Sequence, residues 1–190
     1  MRQIGIAITN FADRHDGQFP RTFHEGEGKS WIYTVAPHLE NVDEVRICPL
    51  DPAGKTRLEN KGTSYVINSY ISIPGEESKL SMDHLKSKSQ TLMVFEGSDL
   101  RDPESFFFEH AHPDAWFTKK RIQRHQVWLW LIREIQPDRH ANSRMVDHSE
   151  GVSHYLFADG HVEVISATQI KTWADTGYNF AKPDACKVSR

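Results

Sequence analysis

The amino-acid sequence predicts an α+β domain in which an N-terminal helix packs on an antiparallel β-sheet. Three observations lead there. Residues 2–15 carry a helical apolar stripe, residues 63–73 and 91–96 are rich in β-formers, and two short apolar runs meet at Asp159-Gly160. At 190 residues the chain has room for a single ordinary domain, 1–190, and with 38% apolar and 26% charged residues it is not a disordered one. A net charge of −3 argues against a nucleic-acid partner. The longest apolar run, residues 127–132, is far too short to span a bilayer.

In the first helix Ile4, Ala7, Ile8, Phe11 and Ala12 recur at three- and four-residue spacing. Arg14 and His15 suit its C-terminal dipole end, and Gly17 can take a left-handed cap. Its start lacks every usual mark: no capping side chain precedes it, and Arg2 opposes the dipole. The expectation drawn from this is a native helix that runs on upstream of Met1.

A short helix is predicted over residues 30–36, capped by Ser30 and ended before Pro37. Residues 45–48 read as extended and 51–61 as turns. Residues 63–73 read as one long strand or a broken pair, and 76–89 as a charged segment with one helical turn opened by Ser81. A strand follows at 91–96. Trp128, Leu131, Ile132 and Ile135 fall at helical spacing, which predicts one helix over 118–135. The runs 155–158 and 161–165 predict a hairpin closed by Asp159-Gly160 in a type I′ turn. Ser166 then caps a helix through Trp173, and residues 175–190 read as an irregular tail. Cys48 and Cys186 leave two alternatives, one long-range disulfide or two unpaired thiols.

Several of these stretches keep a familiar order. Residues 2–10 and Asp16-Gly-Gln-Phe-Pro20 come first. Ser30-Trp31, Pro37-His-Leu-Glu40 and Arg46-Ile-Cys-Pro-Leu-Asp-Pro52 follow, then Thr63-Ser-Tyr65, residues 91–96 and Tyr155-Leu-Phe-Ala-Asp-Gly-His-Val162. Together they resemble the bacterial prepilin-type processing-associated family, whose closing signature is a histidine, nine residues, then Asp-Gly. The resemblance covers residues 1–100 and 139–174 and leaves 101–138 as an unmatched, partly helical insertion. Its signature residues here are Asp159, Gly160 and either His140 or His148, neither of which stands at the family spacing.

The resemblance implies a pseudopilin-like structural subunit, not an enzyme, of a type II secretion or type IV pilus-like assembly. Such subunits anchor in the inner membrane and contact sister subunits through an apolar N-terminal helix, with the head in the periplasm or outside. Asp159-Gly160 is then turn chemistry, and the signature histidine orients the loop before the hairpin.

Two other readings come from the residues themselves. His110-Ala-His112-Pro-Asp114 puts two imidazoles on one face of an extended segment, as a zinc-dependent hydrolase needs. Its third ligand would come from Asp147, His148 or His154. A ligand- or partner-binding module would use the Trp128–Trp130 region and residues 101–126. No cofactor is called for, with zinc and calcium left as alternatives. For calcium, Asp138, Asp147, Glu150 and Asp175 match no recognisable loop. Gly26-Glu-Gly28 lacks the strand and third glycine of a phosphate-binding loop.

Overall fold

The computed structural model describes residues 1–22, 30–39, 42–105, 109–141 and 145–187. Helix α1 (Arg2–Asp13) buries the side that the apolar stripe marks: Ile4, Ala7, Ile8 and Ala12 are closed off, while Arg2, Gln3, Ile6, Asn10 and Asp13 are exposed. Asp16 and Gly17 then take positive φ, and the Gly17 amide donates to Ala12 O at 2.9 Å, which ends the helix short of His15. The later helices are α2 (Trp31–Val35), α3 (Gly54–Glu59), α4 (Ser69–Ser72), α5 (Pro113–Trp116), α6 (Lys119–Gln123), α7 (Val127–Leu131) and α8 (Ala167–Asp175).

Strands β1 (Tyr65–Asn68), β2 (Leu92–Glu96), β3 (His110–Ala111), β4 (Val152–Phe157) and β5 (Val162–Ser166) form one sheet in the order β3-β1-β2-β4-β5. The β1–β2, β2–β4 and β4–β5 pairs are antiparallel, as predicted. Strand β3 joins β1 in parallel, so the sheet is mixed. A parallel neighbour needs a long return path, which the chain between residues 69 and 109 supplies.

Pleating divides the core. Val66, Leu92, Phe95, Tyr155 and Phe157 belong to one cluster, with Trp116, Val127, Leu131, Ile170 and Phe180. Ile67, Val94 and Leu156 belong to the other, with the stripe of α1 and Trp31 of α2. Cys186 lies in the first and Cys48 in the second, so the sheet stands between them and both are unpaired thiols. The disulfide alternative is thereby removed.

Several predicted elements differ. Residues 45–48 are not a strand. Residues Asp43–Arg46 form a 3-10 turn, because the buried Arg46 guanidinium reaches back to Gly62 O and to Leu58 O at 3.0 Å. The polar stretch 51–61 holds α3. Residues 63–73 are neither one long strand nor a broken pair: the strand stops at Asn68, whose Oδ1 accepts from Tyr70 N (3.1 Å) and starts α4. Helix α2 ends at Val35, before Pro37 as expected, and passes into a 3-10 turn, Ala36–Leu39, but Ser30 makes no side-chain cap. The helix expected over 118–135 breaks into α6 and α7 at His125. That residue is left-handed (φ 52), and Gln126 N donates to Arg121 O at 2.9 Å.

Residues 101–138 are no appendage. They supply the edge strand β3 and, through Trp116, Val127, Trp128, Leu131 and Ile135, much of one core cluster. The irregular tail is equally integral, since Phe180, Ala181 and Cys186 are buried and Ala181 O accepts from Asn68 Nδ2 at 2.7 Å. Ser81 and Ser166 cap their turns as expected, accepting from Asp83 N and Gln169 N. The hairpin turn is not type I′. Only Gly160 has positive φ (85), and Gly160 N donates to Phe157 O (2.9 Å) while Phe157 N donates to His161 O (3.0 Å). This is a three-residue loop with glycine in the left-handed bulge position.

Candidate functional site

One group of buried polar residues gathers where the start of β1 and the end of β2 meet the segments before β4. Asp51, from the Cys-Pro-Leu-Asp-Pro run, is their first anchor. Its carboxylate accepts from Ala53 N (2.9 Å), Arg57 Nε (3.0 Å) and Ser64 Oγ (2.7 Å), which pins the residue 48 turn to the start of β1. Arg139 is the second. Its guanidinium, wholly buried, donates to Gly97 O at 2.6 Å and pairs with Asp99 Oδ1 at 2.5 Å. With the backbone held there, His140 is aimed at β2.

Glu96, the last residue of β2, is the centre of this region. It is 2% exposed. Its Oε1 accepts from Cys48 Sγ at 3.2 Å and meets His140 Nε2 at 3.0 Å, and its Oε2 accepts from Ser153 Oγ and from His154 N at 3.0 Å. His154 Nδ1 lies 2.8 Å from His140 Nε2, the two rings edge to face. Burial works against the Glu96 charge, but the donors from His154, Ser153 and His140 outweigh it and hold its pKa below the usual carboxylate range. Burial, reinforced by Glu96, pushes the Cys48 thiol up to about 11. Burial also lowers the His154 pKa.

The predicted pair His110–His112 does share a face: the two Nε2 atoms are 2.9 Å apart. Asp114 does not join them and instead accepts from Ser69 Oγ at 3.4 Å. The acid that joins is Glu134, whose carboxylate accepts from His112 N (2.7 Å) and Trp116 Nε1 (2.8 Å) and meets His112 Nδ1 at 3.3 Å. The hydrogen bond to Glu134 raises the His112 pKa. His112 and Asp114 border a cleft of about 310 Å³ with Ser69, Tyr70, Glu76 and Glu77.

The proposed third ligands lie elsewhere in the described residues. His148 Nδ1 pairs with the buried Asp138 Oδ2 at 3.0 Å, and the exposed Asp147 accepts from Ser149 Oγ at 2.7 Å. His154 belongs to the Glu96 cluster. The calcium candidates likewise disperse, Asp175 pairing with Lys171 Nζ at 2.6 Å. Gly26 and Gly28 lie outside the described residues. Trp128 is buried and donates to Asp147 O at 2.8 Å, whereas Trp130 lies under the Arg121 guanidinium, 3.6 Å from its ring centroid.

The signature residues take distinct positions. His140 meets Glu96 as above. Asp159 accepts from His161 N at 3.2 Å and so closes the hairpin loop. The loop and the first turn of α1 border one cleft, through Arg2, Asp159, Gly160, His161 and Val162.

Among the described residues, the one group of three acid, cysteine or histidine donors close enough to share a cation is Cys48, Glu96 and His140. The sequence hides it, because its members come from distant segments. One signal was available: a glutamate closes an otherwise apolar run, Leu92-Met-Val-Phe, and a charge in a fully buried strand needs partners. Comparison with family models, curated proteins and solved structures finds no match for this chain.

Proposed function

We propose that the domain is the extracytoplasmic head of a pseudopilin-like structural subunit, carried by α1 in a type II secretion or type IV pilus-like assembly. The observation that carries this reading is the seating of α1 on the sheet. Its apolar stripe covers one core cluster, and a side chain at Gly5 would come within 2.8 Å of Leu156 Cδ1, so glycine lets helix and sheet approach closely. The Asp159-Gly160 loop borders the first turn of the same helix. In this reading the closing signature holds a stalk helix to its head and has no catalytic task. Sister subunits and the inner membrane would be engaged by an apolar continuation of α1, each buried aliphatic side chain contributing about 1.5–3 kcal/mol.

Producing the complete natural reading frame in a bacterium with a prepilin peptidase tests this. The expected result is an inner-membrane protein whose residues 1–190 are open to protease from the periplasmic side. Release into the soluble fraction should follow when the residues preceding Met1 are deleted. Recovery of the complete protein in the cytoplasm would refute the proposal.

A further inference from the structure

The geometry points to a divalent transition-metal site, fitted to zinc, formed by Cys48, Glu96 and His140 with His154 in the fourth position. It does not depend on the head reading above. The three donor atoms of Cys48, Glu96 and His140 all lie within 4.8 Å of one another. Cys48 Sγ and His140 Nε2 stand 3.2 and 3.0 Å from the same carboxylate oxygen, and His154 Nδ1 stands 2.8 Å from His140 Nε2. Tetrahedral zinc with bonds of about 2.0–2.3 Å sets its donors roughly 3.3–3.8 Å apart. Cys48 Sγ and His140 Nε2 would each draw back from Glu96 Oε1 by less than about half an ångström, whereas His154, which stands outside the group of mutually close donors, would turn in to complete the tetrahedron.

The donor types narrow the ion. One thiolate, two imidazoles and one carboxylate suit a borderline-soft cation and not magnesium or calcium, which take oxygen ligands. A thiolate and a carboxylate together neutralise a divalent charge, so the loaded cluster is electrically balanced where a bare cation would not tolerate burial. Binding releases the Cys48 thiol proton to solvent, and the ion replaces it on sulfur. Glu96 Oε2 is already held by Ser153 Oγ and His154 N, the outer bonds that fix a ligand's orientation. Access is available from the histidine side, since the His140 and His154 side chains are 23% and 37% exposed while Glu96 is buried. The ion would tie together four separate segments: the residue 48 turn, the end of β2, the segment after Arg139, and β4.

The test uses the 190-residue protein purified without a histidine tag, stripped with chelator, and titrated with cobalt(II) and then zinc. One equivalent of cobalt should bind with thiolate-to-cobalt charge-transfer absorption in the near ultraviolet, and zinc should displace it. Cys186→Ser and His112→Gln should keep the band. Cys48→Ser should abolish it, and His140→Gln should weaken binding at least tenfold. Absence of the band in the Cys186→Ser protein, or its persistence in Cys48→Ser, would overturn the proposal. The first of these arms holds even if Cys48→Ser does not fold.

Discussion

Two parts of this molecule place a pair of histidines beside a glutamate, and they treat those histidines in opposite ways. At His110–His112, Glu134 meets His112 directly, and that hydrogen bond raises the His112 pKa. At His140–His154, Glu96 faces His140, while His154 Nδ1 stands 3.8 Å from it and has its pKa lowered by burial. Identical residue types thus favour a charged imidazole in one place and a neutral one in the other. The contact made by the carboxylate decides which, together with how much water is removed. The second cluster also contains a thiol. A thiol, a carboxylate and an imidazole within 4.8 Å of one another form a ligand set, whereas an imidazole on a carboxylate alone offers only an ion pair when it is protonated.

The largest expected effect separates the two carboxylates. Glu96→Ala strips an acceptor from Cys48, His140, Ser153 and the His154 amide inside the core, and should cost about 3–5 kcal/mol in urea unfolding. Glu134→Ala should cost less, about 1–3 kcal/mol, because Glu134 is partly exposed and water can reach the His112 amide and Trp116. Equal losses, or the reverse order, would break the contrast.

The second effect is on pH dependence in metal-free protein. His112 has a folded pKa above its unfolded value of about 6.5, so its stabilisation is complete below that value and is lost as pH rises through the folded pKa. His154 has a folded pKa below its unfolded value. Its protonation therefore favours the unfolded chain, and stability is gained as pH rises from the folded pKa toward about 6.5. His112→Gln should remove the decline above about pH 6.5, and His154→Gln the gain below it. Unfolding curves at a series of pH values check this, and a shift of slope in the same direction for both variants would contradict it.

The smallest effect serves as a control on the hairpin that carries His154. Gly160→Ala meets no atom within 4 Å, so its cost comes from φ +85 alone and should be about 1–2 kcal/mol. The ring resonances of His140 and His154 should not move. If they do, the turn and the cluster are coupled, and the two regions differ by more than their local contacts.

Much of the fold was legible locally. The spacing of Ile4, Ala7, Ile8 and Ala12 marked the buried side of α1, Ser166 marked the start of α8, and the apolar runs around Asp159-Gly160 marked the hairpin. Each of these is set by neighbours a few residues apart. The same reasoning failed at His125, where apolar spacing continues through a residue that turns left-handed. It failed again at Asn68, whose side chain is claimed by Leu92 O at 2.9 Å and Ala181 O at 2.7 Å. Those partners are far away in sequence, and no window of residues contains them.

The candidate site divides in the same way. The His110-Ala-His112 pair follows from a strand's two-residue period and was visible in the sequence, but its acid partner was not Asp114. The sequence by itself determined an α+β domain with a helix first, a closing hairpin and a face-sharing histidine pair, because periodicity and turn chemistry act over short stretches. Only the tertiary structure brought Cys48, Glu96, His140 and His154 together and added β3 in parallel to the sheet edge. A buried carboxylate must find its donors wherever the folded chain can supply them, and distance along the sequence places no limit on that.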